Sequence, residues 1–233
     1  MLRGLYSATS SWESAMRRQE TLAENLAHLS VPGFRARGMK FETILSQEVG
    51  VPPTRQASQT FADFQPGPIR ETGHPLHLAI DGDGFFVLQG PNGPVYTRNG
   101  SFHRLADGRI VSDGGYPLLG AGGPIVIPAD SQQLTIGRDG AVSVDGAQVD
   151  QVRLATFDDP QKLQIAGPTL FSAPAGVNEV PAAGSIIQGA LEGSNVNPAW
   201  VLVEMIHAQR FFEAVQRSIR TLNDAIQLNT RPE

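Results

Sequence analysis

Apolar residues recur at alternating steps of three and four along both ends of the chain, and not along its middle. At the start the series runs Leu5, Ala8, Trp12, Ala15, Gln19, Leu22, Leu26 and Leu29, with Gln19 its one polar member. That spacing keeps one side of an α-helix apolar, so it predicts a helix reaching to about residue 30. The stretch "SVPGF" ends it, because Pro32 cannot continue a helix and disfavours the α conformation at Val31 before it. At the other end Val201, Met205, Ala208, Phe212, Val215, Ile219, Leu222 and Ile226 form an unbroken apolar series of the same kind. Asn197 is placed to cap this second helix, and Pro198 suits its first position. Trp200, Leu202, Val203, Ile206 and Phe211 are apolar as well but fall off the stripe, so the first half of the second helix is greasy on most faces.

Between these ends the period changes. From Pro75 to about Ile187 short apolar runs alternate with turn signals, as in "LAIDGDGFFVLQGPNGPVYTRNGSF". Asn99-Gly100, Asp107-Gly108, Asp139-Gly140 and Asp145-Gly146 suit tight hairpins, since these residue types tolerate positive φ. Phe85, Phe86 and Phe102 fall where strands would bury them. Residues 35–73 carry a weaker signal. "VGVPPTRQASQTFADFQPGPIRETGH" is rich in Pro, Gly, Gln, Ser and Thr and reads as an extended connector, with room for a short helix near Phe41 to Gln47. The expected layout is a mixed fold. It has an N-terminal helix in 1–34, an extended connector over 35–73, a central all-β and mostly antiparallel domain over 74–187, and a C-terminal helix in 188–233.

Two heptad stripes at opposite ends suggest that the terminal helices cover each other as a coiled-coil-like pair. A single partner helix hides only one seam. The apolar residues off the stripe of the second helix therefore call for further neighbours, most simply other copies of the chain or close relatives.

Composition narrows the chemistry. With 233 residues, 40% of them hydrophobic, the chain can bury a substantial core. A net charge of −5, with scattered Lys and Arg, leaves no basic footprint for nucleic acid. No apolar run approaches the ~20 residues of a membrane helix, and the opening residues lack the layout of a secretory signal. Cysteine is absent, which removes disulfides, thiol catalysis and thiolate-bound metal. "IDGDGFF" lacks the later ligands of a calcium loop, so Asp81 and Asp83 are expected to serve a turn. His74 and His77 with His103 form only a weak zinc candidate. "GAGGPIV" lacks the spacing of a phosphate cradle, and no G-x-S-x-G elbow is present. No catalytic, cofactor-binding or metal-ligating set is expected, and the chain is not read as an enzyme. A secreted β-domain enzyme or carbohydrate-binding module with helical flanks is the rival reading, and it would require clustered carboxylates or aromatics on the β segment.

Three blocks carry a resemblance. "ENLAHLSVPGFRA" (24–36), "LAIDGDGFFVLQ" with "YTRNGSF" (78–89 and 96–102), and "EGSNVNPAWVLVEMIHAQRFFE" (192–213) resemble the signatures of the bacterial flagellar axial proteins, specifically the basal-body rod proteins of the FlgF and FlgG kind. His28 and Val31 depart from the usual pattern, at positions where the family more often has Asn and a small polar residue. The brief connector and the "LEGSNV" form resemble the proximal-rod FlgF type more than the distal-rod FlgG type. The resemblance implies a structural subunit exported through the flagellar type III apparatus without a cleaved signal peptide. It also implies a rod in the periplasmic space, built with copies of itself and other rod proteins, with both termini in the inner core and the β domain outside. The residues expected at the assembly interface are Leu5, Trp12, Leu22, Asn25, Leu26, Leu29, Asn195, Asn197, Val201, Met205, Ala208, Phe212, Val215, Ile219, Leu222 and Ile226.

Overall fold

The computed structural model describes residues 2–44, 55–128, 130–131 and 133–229, and the side chains of 11–40, 59–128, 130–131 and 133–221. The chain divides into two compact units. One comprises residues 1–27, 37–63 and 197–233, the other residues 28–36 and 64–196.

The first unit holds both helices, α1 (Leu2–Ala27) and α2 (Pro198–Asn229), and a hairpin of β1 (Arg37–Ile44) and β2 (Arg55–Ala62). The stripes place the helices as their periods require. Ala15 and Leu22 on α1, and Val201, Ala208 and Val215 on α2, are buried. Trp12 and Phe212 lie with ring centroids 6.1 Å apart, and Arg18 forms an ion pair with Glu204. Those two contacts run in opposite senses along the two helices, so α1 and α2 are antiparallel. Asn197 caps α2 as the sequence predicts, its Oδ1 accepting from the Trp200 amide at 3.2 Å.

Two expectations need correction here. The helix stripe was drawn through Leu29, but α1 ends at Ala27, where the Val31 amide turns back to the His28 carbonyl and Gly33 adopts φ +66°. Within residues 35–73 the stretches 37–44 and 55–62 form a hairpin where an extended connector was expected. β1 and β2 pair antiparallel over their whole length, from Arg37 opposite Ala62 to Ile44 opposite Arg55, and β1 occupies the start of the segment where a short helix was considered. Residues 45–54 lie outside the described residues.

The second unit is mostly antiparallel β, as the turn spacing predicts. Its main sheet has six strands in the order Gln164–Ile165, Leu170–Ser172, β6 (Gly93–Thr97), β5 (Phe85–Gly90), Leu154–Thr156 and Val180–Pro181. β5 lies in the middle, which is why Phe85, Phe86, Val87 and Leu88 are all buried rather than alternately so. β4 (Leu78–Asp81) pairs with Ser185–Gln188, and β3 (Ile69–Glu71) pairs with Ala190–Glu192. Leu78, Ile80, Phe86, Leu88, Phe102, Leu118 and Ile186 share one core, with Phe86 and Phe102 edge to face at 5.2 Å. Asp81 closes β4, and Gly82, Asp83 and Gly84 bend the chain into β5. Three of the four predicted hairpin turns stand between paired strands; at Asp145-Gly146 both residues have positive φ. Asn99-Gly100 does not. It carries the chain from one sheet to the next, and Gly100 is required because a Cβ there would lie 1.6 Å from the Leu78 carbonyl oxygen.

Candidate assembly interface

The seam between α1 and α2 is largely covered within the chain. On α2 the stripe residues Val201, Ala208 and Val215 are buried, and Met205, Phe212 and Ile219 half-buried. On α1 Leu22 is buried and Leu26 half-buried, whereas Trp12 remains partly open despite its contact with Phe212. The side chains of Leu5, Leu222 and Ile226 lie outside the described residues.

Asn25 is buried for a different reason. Its Nδ2 donates to the Arg37 carbonyl at 2.8 Å and its Oδ1 accepts from the Arg37 amide at 2.7 Å, so it fastens α1 to the start of the hairpin. Arg37 also pairs with Glu24. Asn195 does similar work in the β unit. Its Oδ1 accepts from the Ala36 amide at 2.6 Å and its Nδ2 donates to the Gln65 carbonyl at 2.9 Å. Leu29, half-buried in the turn after α1, belongs to the β unit and not to the seam.

The residues off the stripe stand out instead. Trp200, Leu202, Val203, Ile206 and Phe211 are 49–58% exposed, and Met16 on α1 is 44% exposed. Several large apolar side chains in solvent along three turns of one helix make a patch of the kind that marks a protein interface.

A charged knot in the β unit was not foreseen. The Glu192 carboxylate accepts from Arg35 Nη2 at 2.7 Å, from Arg98 Nη1 at 3.3 Å and from the Gly67 amide at 2.8 Å, and all three side chains are buried. The Glu192 carbonyl accepts from the Gly33 amide at 2.8 Å. Arg98 also donates to the Gly82 carbonyl at 2.9 Å and lies 5.4 Å from the Phe85 ring centre. Burial lowers its pKa, with Glu192 opposing that shift. Arg35 keeps two buried guanidinium nitrogens, Nε and Nη1, and Arg98 one, Nε, without a partner among the described residues. The knot ties the turn after α1, the end of β6 and the strand before α2 together. Its one sequence signal is that Arg35, Arg98 and Glu192 each stand in one of the three blocks quoted above.

The His74 and His77 rings lie 4.5 Å apart, His77 Nδ1 meets Thr72 Oγ1 at 2.9 Å, and His103 stands 4.0 Å from Asp113. Among the described residues no group of three or more potential ligands is placed to hold a metal ion. Among the described residues no helix is long and apolar enough to cross a membrane.

Comparison with known proteins gives this patch its context. Residues 79–144 match the family described as flagellar hook protein FlgE/F/G D1 domain, and residues 187–229 match the C-terminal domain of the flagellar basal body rod FlgEFG proteins. The flagellar basal-body rod protein FlgF of Mesorhizobium japonicum is 35% identical over 219 residues, covering 91% of this chain and 90% of its own. The chain belongs to the flagellar basal-body rod proteins of the FlgF and FlgG type. FlgF of Rhizobium meliloti is 33% identical over 94% of this chain and 93% of its own. FlgG of Bacillus subtilis is 32% identical over 97% of each, but that alignment runs to 257 positions and so is longer than the 233-residue chain itself. These rod proteins are structural and not enzymes, and nothing supports the rival enzyme or carbohydrate-binding reading. The matched C-terminal domain contains the strand of Glu192 and all of α2, so the exposed apolar patch lies inside it.

Proposed function

We propose that the chain is a proximal-rod subunit of the FlgF type, and that it assembles with other rod subunits through α1 and α2 into the shaft that carries torque to the hook. The single observation that carries this reading is the division of α2. Its heptad face is covered within the chain, while Trp200, Leu202, Val203, Ile206 and Phe211 remain in solvent. At about 25 cal/mol per Å² of apolar surface, five such side chains supply several kcal/mol once neighbours cover them. In the assembled rod α1 and α2 pair as a coiled coil in the inner core, near residues 1–34 and 188–233, and the β unit over 74–187 lies outside. The FlgF assignment rests on the shorter alignment with FlgF than with FlgG. In this reading the rod stands in the periplasmic space and its subunits are exported through the flagellar type III apparatus, a placement that membership of the rod-protein family supports.

Replacing Ile206 with Glu tests the reading directly. The subunit should fold and be exported as before, yet be missing from isolated basal bodies, and cells carrying it should not swim. Normal incorporation of that variant would refute the role of the patch.

A further inference from the structure

A groove of about 440 Å³ runs between α1 and the hairpin, lined by Glu13, Met16, Arg17, Glu20, Glu24 and Met39, among others. Thr60, the cross-strand partner of Met39, completes the hairpin wall. The lining combines the two methionines with three glutamates and Arg17. Arg17 is tied to Glu13 at 2.7 Å and Arg37 to Glu24, so Glu20 is left without an ion pair among the described residues. The outer face of α2 has the opposite character. Arg210, Arg217 and Arg220 are exposed and make no ion pair among the described residues, with Glu213 the acidic residue beside them. Glu13 to Glu24 and Arg210 to Arg220 span nearly equal lengths of helix, roughly 15 Å each at the helical rise.

These two surfaces cannot meet within one chain. Trp12 lies by Phe212 and Arg18 by Glu204, so Glu20 stands level with the first turns of α2, and Arg217 is displaced from it by roughly 20 Å along the axis. We propose that the basic outer face of α2 in one subunit seats in the α1–hairpin groove of a second copy of the chain. The inference rests on the rod reading and adds to it a specific, charge-matched contact between copies. Two different patches of one protein then meet, so the contact repeats in one direction and builds a filament rather than a closed dimer. Because the groove holds one uncompensated carboxylate against three unpaired arginines, the charge pairs set register and partner choice, while the two methionines supply apolar contact.

Cysteine scanning tests this cleanly, since the chain has no cysteine of its own. Cells lacking their own copy should carry two versions together, Glu20→Cys and Arg217→Cys, and their basal bodies should be isolated and mildly oxidised. A disulfide-linked dimer is expected only when both versions are present. In parallel, Glu20→Arg and Arg217→Glu should each lower incorporation into basal bodies about tenfold, and the combination Glu20→Arg/Arg217→Glu should restore it to within about twofold. Glu20 is exposed and unpaired, so unaltered melting of the purified variant would show that folding is not the cause. Absence of the dimer from rods that contain the chain overturns the proposal. So does loss of incorporation that the charge swap fails to restore, which would assign the groove to a different rod protein. If the unaltered chain itself is missing from basal bodies, the rod reading fails instead.

Discussion

Replacing the buried Glu192 with Leu should strongly destabilise the β unit. The substitution removes the carboxylate that accepts from Arg35 at 2.7 Å, from Arg98 at 3.3 Å and from the Gly67 amide at 2.8 Å. Two guanidinium groups then stay buried with no counter-charge, and breaking a buried pair in this way costs about 3–5 kcal/mol. Against a whole-domain stability of about 5–15 kcal/mol, that is a large fraction. With a urea slope of about 2 kcal/mol per molar, a loss of about 4 kcal/mol lowers the unfolding midpoint by about 2 M. The change should be followed by far-ultraviolet circular dichroism of the purified chain. Trp12 and Trp200, the two tryptophans, lie in the helical unit and report on that unit by fluorescence in the same titration. Removing the whole knot, as Arg35→Met/Glu192→Leu/Arg98→Met, should recover most of the loss, because an apolar replacement leaves no charge stranded. A midpoint shift below about 0.5 M for Glu192→Leu, equivalent to about 1 kcal/mol, would refute the argument.

Ala208→Glu places a carboxylate in the covered seam and should cost several kcal/mol of helix pairing. The helical signal of the lone subunit should fall, whereas Ile206→Glu on the exposed face leaves it unchanged. Asn25→Ala strips the Arg37 amide and carbonyl of their partners and should cost about 2 kcal/mol, measured as a shift in the tryptophan-detected midpoint. His77 has its pKa lowered by burial first and by His74 second, with Asp113 opposing. The unfolded chain therefore takes up this proton more readily than the folded one. Stability should decline as pH falls through about 6.5 and below, and His77→Gln should flatten that decline in a series of urea titrations.

The parts of the fold that the sequence made legible are those that depend on one segment at a time. The α2 stripe from Val201 to Ile219, the Asn197 cap and the glycine turns are local, and the structure contains them. The hairpin was missed because "RGMKFETI" and "RQASQTFA" show no clear apolar alternation, and their pairing depends on each other rather than on either sequence. The stripe of α1 carried Leu29 one step too far, since a periodic apolar residue in the turn after a helix looks the same as one inside it. Asn99-Gly100 has the composition of a hairpin turn, yet its glycine answers to the Leu78 carbonyl, more than a strand's length away in sequence. The knot escaped notice because charged residues are ordinarily at the surface, and only the folded chain shows that Arg35, Arg98 and Glu192 meet. For the interface, the apolar excess of α2 was readable in advance. Which of its faces stays open was settled by α1, a partner most of the chain away.

That distance between α1 and α2 makes the seam depend on two segments far apart in sequence. Leu2–Ala27 and Pro198–Asn229 are separated in sequence by the hairpin and the whole β unit, so the seam at Ala15, Leu22, Val201 and Ala208 closes only where both helices are present. A fragment ending before Asn197 retains every strand of the β unit, yet it has neither the seam nor the apolar face beyond it. Loss of either helix therefore strands the apolar stripe of the other, so one local deletion at one end is felt at a seam most of the chain away.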